Sequence, residues 1–146
     1  MGGGTGERGV KSLIVLDNEA VQAMGSPAHP KPQRVLSLVQ VVAQRKRRAA
    51  EVALAVPTTV RAQAGWDRTV AAWALANRLR VADEALGRAE ANVAAQIRAA
   101  TGVPVADAHL GAVLQGSKAQ RVTVLTSDPG DVAAVAGSRA VTIVRI

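Results

Sequence analysis

The sequence predicts an α/β protein, a three-layer α/β/α sandwich around a mostly parallel central sheet. Short runs of β-branched and aliphatic residues lack the polar alternation of half-exposed strands, which is typical of strands buried on both faces. These runs alternate with stretches in which apolar residues recur at helical spacing. Several of them stop abruptly at small polar or acidic residues, the signal of a strand ending in a turn. Such alternation favours parallel strands joined by helices that cover both faces of the sheet.

The composition restricts both the core and the chemistry. The chain has 146 residues, 49% of them hydrophobic, but no Phe or Tyr and only two Trp. We therefore expect a core of many small aliphatic contacts. Cysteine is absent, which excludes disulfides, thiolate nucleophiles and cysteine-based zinc sites. No apolar run reaches the roughly 20 residues of a membrane span, and no secretory signal is evident, so we expect a cytoplasmic protein without membrane contact.

The charge predicts an anionic partner. The formal net charge is +7, which suits nucleic acid or an acidic protein. Because aromatic residues make up only 1% of the chain, phosphate contacts are favoured over base stacking as the mode of RNA binding. The basic run Arg45–Arg48 is interpreted as the solvated end of a helix, with a role in guiding RNA or an acidic partner as the alternative.

Residues 1–10 are rich in glycine and are interpreted as a flexible leader or an expression remnant, ahead of a single domain over residues 11–146. Gly4, Gly6 and Gly9 match the letters of the dinucleotide-binding fingerprint. That fingerprint requires a preceding strand and a following helix, and the sequence predicts neither here. A small nucleotide-binding protein is therefore a third reading that depends on these glycines alone.

Strands and helices are predicted to alternate through the domain. The predicted strands are 12–16, 52–56, 79–81, 122–125 and 141–146. The predicted helices are 20–24, 33–49, 57–77, 84–100, 104–114 and 131–136, with a proline-rich loop over 26–32. Pro57 and the threonines after it suit a first helical turn, and Asp83 is predicted to cap the helix from 84. Trp66 and Trp73 are seven residues apart, which predicts that they share one helix face in the core or a dimer interface.

Three aspartates are candidates for a common site. Asp17 and Asp128 each follow a buried strand, and Asp107 lies in a first helical turn. The carboxyl ends of parallel strands form the edge at which α/β proteins bind ligands. Three carboxylates gathered there would raise one another's pKa unless a cation neutralised them, and oxygen ligands suit Mg²⁺ or Mn²⁺. The alternative, that Asp17 and Asp107 are ordinary turn and cap residues, stays open at this point.

Three motifs in order resemble those of the PIN-domain family. They are Leu16-Asp17-Asn18, the run Val105–Leu110 and the run Val124–Asp131. The resemblance covers nearly the whole chain after the leader and is nearest to the VapC-like toxins of bacterial toxin–antitoxin pairs. It implies a PIN-like domain with the activity of a Mg²⁺- or Mn²⁺-dependent endoribonuclease. It also implies a homodimer that a cognate antitoxin protein holds inactive.

The resemblance further implies roles for particular residues. Asp17, Asp107 and Asp128 would be the catalytic metal ligands, with Asp131 as a supporting acid. One position departs from the family: Gln63 stands where the pattern Val-Pro-x-x-Val-x-x-Glu has glutamate. Its carbonyl oxygen can still reach a metal or its water, but it adds no negative charge. The glutamine indicates either a weakened natural enzyme or an inactivating substitution.

Four further residues near the predicted site carry lesser expectations. Asp67, one turn beyond Gln63, would compensate for the missing charge if it faced the site, and Arg61 and Arg68 are candidates for contact with RNA. His109 is expected to point away from Asp107 and to pack or hydrogen-bond structurally. The main functional hypothesis is a toxin-type ribonuclease. The alternative is a PIN-fold binding module that has lost catalysis and binds RNA or a partner protein.

Overall fold

A parallel β-sheet organises the chain. The computed structural model describes residues 11–25 and 52–146, and the elements below are numbered over these residues. The strands are β1 (Ser12–Leu16), β2 (Val52–Pro57), β3 (Ala82–Glu84), β4 (Arg121–Thr126) and β5 (Thr142–Arg145). The α-helices are α1 (Asn18–Gly25), α2 (Thr58–Ala64), α3 (Ala74–Arg78), α4 (Arg88–Thr101), α5 (Val105–Gly116) and α6 (Pro129–Ala136). A short 3₁₀ turn, Ala71–Trp73, precedes α3.

The strand order places β1 in the middle of the sheet. The order is β3-β2-β1-β4-β5, and every pair is parallel. Leu13 on β1 lies opposite Ala53 on β2 and Val122 on β4. The chain builds the sheet outward from β1 in one direction and then returns to add β4 and β5 on the other side. The gap between the carboxyl ends of β1 and β4 is therefore the topological switch point, where open α/β sheets bind ligands.

Alternate side chains of the sheet support two separate cores. Leu13 and Val15 belong to a cluster with residues of α5 and α6. Leu16, on the opposite face of the same strand, belongs to a cluster with residues of α1, α2 and α3. A third cluster joins α4 to the outer side of α5 and α6, for example through Ile97 and Val135. The predicted α/β/α sandwich with a parallel sheet is confirmed for the described residues.

Several predicted boundaries agree with the structure. The first strand matches its prediction, β2 differs by one residue at one end, and β4 and β5 differ by one residue at each end. The predicted stop at Thr101-Gly102 is confirmed, because α4 ends at Thr101 and Gly102 adopts the left-handed conformation with φ 76°. The helix predicted to start at Pro104 starts one residue later, at Val105, with Pro104 as its N-cap. These agreements come from local signals that only one conformation satisfies.

The single helix predicted over 57–77 is wrong. Helix α2 ends at Ala64 because Gly65 adopts the left-handed conformation, with φ 80°, and its N–H bonds back to Ala62. Glycine reaches this conformation at no steric cost, and the chain then turns before the 3₁₀ turn and α3. Trp66 and Trp73 thus lie on no common helix, yet their rings stack with centroids 5.8 Å apart. The reversal of the chain, rather than helical periodicity, brings them together.

The predictions for the third strand and the helix after it are also wrong. The strand is Ala82–Glu84, three residues beyond the predicted start, because Leu79 and Val81 pack into the core on the α1–α2 side instead. Asp83 is a strand residue that binds Arg61 and Arg68, so it does not cap α4. That helix starts at Arg88, after Gly87.

Some predictions fall outside the described residues. These are the leader 1–10, the loop 26–32 and the helix 33–49 with its basic run Arg45–Arg48. The prediction of a single domain over 11–146 likewise stays a prediction. Across residues 11–25 and 52–146, no helix combines the length and apolar character needed to cross a bilayer.

Candidate functional site

Five predicted site residues line one small cavity at the switch point. Its volume is about 150 Å³. The lining residues are Asp17, Asn18, Glu19, Gln63, Asp107, Ser127, Asp128 and Asp131. They come from the ends of β1 and β4, from α2, and from the first turns of α1, α5 and α6. The structure therefore brings together carboxylates that are distant in sequence, such as those of Asp17 and Asp131.

Hydrogen bonds fix the carboxylate of Asp17. Its Oδ1 accepts the N–H of Asn18 at 2.7 Å, and its Oδ2 accepts the hydroxyl of Thr126 at 2.7 Å. Thr126 is fully buried, and its Oγ1 also accepts the N–H of Asp128 at 2.9 Å. One hydroxyl thus links the residues that end β1 and β4, and it orients Asp17 before any ligand binds.

Asp107 and Asp131 have weakened acidity. Burial raises the pKa of Asp107, and the negative charges of Asp17, Asp131 and Asp128 raise it further. A hydrogen bond with the side chain of Asp128 raises the pKa of Asp131, and the charge of Asp128 adds to this. The lining that the structure describes therefore gathers several acids and includes no basic side chain.

Asp128 is at the N-cap position of α6 but does not cap it. Its backbone has φ −129° and ψ 72°, and no side-chain hydrogen bond to the helix N-terminus forms. An N-cap aspartate ordinarily accepts such a bond. Here the carboxyl faces the cavity and contacts Asp131. This geometry favours a role in the cavity over the ordinary role of a helix cap.

The acids line the cavity without converging on a point. Among the described residues, no group of three or more His, Cys, Asp or Glu side chains is close enough to hold a metal ion. The available donors are carboxylate, amide and hydroxyl oxygens, which are the kinds of ligand that hard divalent cations take. The donor types thus fit such a cation, while ligation would require carboxylates other than that of Asp17, which hydrogen bonds hold, to come closer together.

Gln63 lies on the α2 side of the cavity. Its side chain is exposed and lines the cavity with the aspartates. Helix α2 has only seven residues, and its N-cap, Pro57, makes no side-chain capping bond. The position of Gln63 therefore depends on how α2 packs against the rest of the molecule.

Asp67 does not join the other acids. It is exposed, and its Oδ1 accepts the N–H of Thr69 at 2.9 Å and the Thr69 hydroxyl at 2.6 Å. These hydrogen bonds hold the pKa of Asp67 below its usual value. It lines a separate, open cavity of about 380 Å³ beyond α2, so the compensation expected for Gln63 does not come from this residue.

Arg61 and Arg68 share Asp83 as an ionic partner. The Nε of Arg61 lies 3.4 Å from Asp83, and a terminal nitrogen of Arg68 lies 3.0 Å from the same oxygen. Arg68 also donates to the carbonyl of Val81 at 2.7 Å and lies over the Trp66 ring, 4.3 Å from its centroid. Both arginines line the larger cavity, and their contacts tie α2 and the following turn to β3.

Sequence reasoning missed part of the cavity lining. Asn18, Glu19 and Ser127 line it, and buried Thr126 supports it from below. The available signal was position alone, since Asn18 directly follows and Ser127 directly precedes a predicted ligand, and the other two lie two positions from one. His109 is fully buried and bonds to Thr59, which confirms the structural role expected for it.

Known proteins give no further guide to this cavity. No family model matches the chain, and no curated protein matches it.

Proposed function

We propose that the protein is a metal-dependent endoribonuclease that hydrolyses RNA phosphodiester bonds. The observation that supports it is the set of aspartates from β1, β4, α5 and α6 that line one cavity at the switch point of a parallel sheet. The net charge of +7 is compatible with an RNA substrate. We further propose that it is the toxin of a toxin–antitoxin pair and forms a homodimer. These two parts of the proposal are supported by the resemblance to VapC-like PIN domains alone.

Asp17, Asp107 and Asp128 would hold Mg²⁺ or Mn²⁺, with the carbonyl oxygen of Gln63 on the open side. A bound divalent ion of this kind supplies a hydroxide at neutral pH and offsets the charge of the phosphate. Asp17 is held by Asn18 and Thr126, so its orientation needs no adjustment when substrate arrives. Asp131, in contact with Asp128, would keep that carboxylate aligned.

Cleavage of RNA in the presence of Mn²⁺ or Mg²⁺ tests the proposal. A labelled RNA is incubated with the full chain, with either ion and then with a chelator. Asp17→Asn and Asp128→Asn are each expected to reduce the rate by about 100-fold or more, because changes outside the ligand shell already cost 10–100-fold at metal sites. Asp67→Asn is the matched control, since it makes the same change outside the cavity.

Two outcomes would contradict this function. Activity that survives both Asp17→Asn and Asp128→Asn would show that these residues are not its ligands, and activity in the chelator would exclude the ion. The toxin role makes a separate prediction. Expression of the natural chain is expected to arrest bacterial growth, and Asp17→Asn is expected to relieve the arrest.

A PIN-fold binding module without catalysis is the second candidate. Two observations favour it: Gln63 brings no charge to the cavity, and the described carboxylates do not converge on a metal position. Such a module would bind RNA or a partner protein and cut neither. Binding of RNA that needs no divalent ion, with no product formed, is the expected behaviour.

Restoring the carboxylate at position 63 separates the two candidates. Gln63→Glu is expected to strengthen Mn²⁺ binding and raise the rate of RNA cleavage if the chain is a weakened ribonuclease. Mn²⁺ affinity is measured by titration calorimetry and cleavage by gel assay. If both remain undetectable in Gln63→Glu, the binding module is the better account.

A further inference from the structure

The buried histidine of α5 is bound to the helix that carries Gln63. His109 is fully buried, and its Nδ1 lies 2.7 Å from the hydroxyl oxygen of Thr59. Thr59 is in the first turn of α2, four residues before Gln63. Residues four apart on a helix lie on the same face. The bond therefore connects the side of α2 that faces the cavity to the helix that carries Asp107.

The surroundings of His109 favour an uncharged ring. Burial lowers its pKa, although the backbone of Ala85 and the charge of Glu90 act in the opposite direction. A neutral ring carries one N–H, and the bond between Nδ1 and the Thr59 hydroxyl can form with either tautomer, because a hydroxyl both donates and accepts.

A histidine is a costly residue at this position. Its Nε2 is buried, and its contact with the backbone of Ala85 lacks the geometry of a full hydrogen bond. Buried polar atoms are nearly always bonded, and the exceptions call for an explanation. Leucine would fill the same apolar surroundings without this cost, so the single bond to Thr59 is the feature that histidine adds.

Helix α2 depends on contacts from outside itself. It has seven residues and no side-chain cap, and Gly65 stops it. A helix of this length is not stable alone, and tertiary contacts decide its position. Val60 anchors it in the core, but apolar packing permits sliding and rotation that a directional hydrogen bond does not.

We propose that His109 is a positioning residue that acts through Thr59 to fix α2, and so the Gln63 carboxamide, relative to Asp107 at the cavity. This inference rests on the proposed metal site. It adds a residue that touches neither metal nor substrate, and it predicts coupling between Thr59 and Gln63. Because His109 is fully buried, the test alters Thr59, which is only half-buried.

Mn²⁺ titration of Thr59 variants of the full chain tests the proposal. Thr59→Val removes the hydroxyl while keeping the shape of the side chain, and it is expected to weaken Mn²⁺ binding by about tenfold, as for outer-shell changes at metal sites. Thr59→Ser keeps the hydroxyl and is expected to bind nearly as the natural chain does. Thr101→Val is the matched control, because it removes a hydroxyl bonded to the Ile97 carbonyl at 2.7 Å on the outer helix α4.

A double-mutant cycle distinguishes positioning from general loss of stability. In a Gln63→Ala background, Thr59→Val is expected to have no further effect on Mn²⁺ affinity, since the side chain that the bond positions is gone. Hydrogen exchange of the α2 amides gives a readout without metal, and Thr59→Val is expected to accelerate it while Thr101→Val does not.

The results that overturn the inference differ from those that overturn the proposed function. If Thr59→Val binds Mn²⁺ as tightly as the natural chain, the bond does not position Gln63. The same follows if Thr59→Val weakens Mn²⁺ binding just as much in the Gln63→Ala background. Unchanged exchange in α2 would lead to the same conclusion. A different result would refute the metal site instead. In that case the Gln63→Glu variant binds no Mn²⁺, although Thr59→Val still accelerates hydrogen exchange in α2.

Discussion

The hydroxyl of Thr126 has two partners that belong to different candidate ligands. It donates to Asp17 and accepts the N–H of Asp128, with no exposure to solvent. A buried group with both bonds made contributes to stability and to the geometry of the cavity together. Loss of the hydroxyl would leave a partly buried carboxylate oxygen and a backbone N–H without these partners.

Thr126→Val is expected to lower the free energy of unfolding by about 1–3 kcal/mol, the cost of leaving buried polar groups unpaired. Urea denaturation measures it. Thr123→Val, on the same strand but half-buried, is the control and is expected to change stability by about 0.5 kcal/mol or less. Equal losses in the two variants would mean that the bonds of Thr126 contribute nothing specific.

The charged carboxylate of Asp107 is expected to lower the stability of the folded protein at neutral pH. Its pKa is raised in the folded protein above the unfolded value of 3.8, so the folded state binds more protons in the interval between the two values. Stability therefore falls as the pH rises through that interval and stays reduced above it. Asp107→Asn removes the charge and is expected to raise the urea midpoint at pH 7, with a gain that disappears below the unfolded pKa.

Asp67→Asn is the control, and it is expected to lower the urea midpoint at pH 7 where Asp107→Asn raises it. The pKa of Asp67 is lowered, so its carboxylate favours the folded state above the unfolded pKa, and that contribution is lost as the pH falls through the lower folded value. If the urea midpoint of Asp107→Asn at pH 7 does not exceed that of the natural chain, the inferred repulsion between Asp107 and the other carboxylates of the cavity is contradicted.

At the scale of elements, the packing of α5 depends on one glycine. A Cβ at Gly111 would lie 2.7 Å from the carbonyl oxygen of Val135 and 2.7 Å from the end of the Ile97 side chain. The backbone oxygen belongs to α6 and cannot move without shifting that helix. Close approach of α5 and α6 is therefore possible only with glycine at this position.

Gly111→Ala is expected to destabilise the fold by about 1–3 kcal/mol, as overpacking does in a filled core. Gly116→Ala, at the end of the same helix, is the control because a Cβ there would meet nothing within 4 Å. It is expected to stabilise the helix by up to about 1 kcal/mol. Thermal unfolding of both variants measures the difference, and a stable Gly111→Ala would show that α5 and α6 can separate.

The elements also show how far sequence reasoning reaches. Strands β1 and β4 were predictable because unbroken β-branched runs and the acids after them admit one interpretation. The break at Gly65 was not, since an isolated glycine inside a helical pattern is often tolerated. The contacts across the reversal, the stacking of Trp73 on Trp66 and the bond from Trp66 to Asn77, are tertiary. Within the site, the aspartates were found from their positions after strands. Thr126 and Thr59 were missed because their roles are hydrogen bonds across 109 and 50 residues.

For the whole molecule, the net charge of +7 makes the proposed binding of RNA dependent on salt. Each phosphate contact is expected to contribute about −0.7 to the slope of log affinity against log salt for a single strand. Fluorescence anisotropy with a chelator present measures binding without cleavage. Arg61→Gln is expected to make the slope shallower by about that amount.

Arg98→Gln is the control for this measurement. Arg98 is an exposed residue of the outer helix α4, and it donates to the carbonyl of Val103. Removing its charge is expected to leave the slope unchanged. If Arg61→Gln and Arg98→Gln alter the slope equally, then net charge alone attracts RNA and Arg61 makes no particular contact.

The central position of β1 in the sheet has a consequence for folding during synthesis of the chain. Its partner β4 follows about a hundred residues later, and the bond from Thr126 to Asp17 spans 109 residues. Ribosomes add about 5–20 residues per second. The interval between the synthesis of β1 and that of β4 is therefore on the order of ten seconds. Pairings between distant strands also form slowly. A ribonuclease built in this order would therefore be unable to cut its own messenger RNA until β4 has been synthesised.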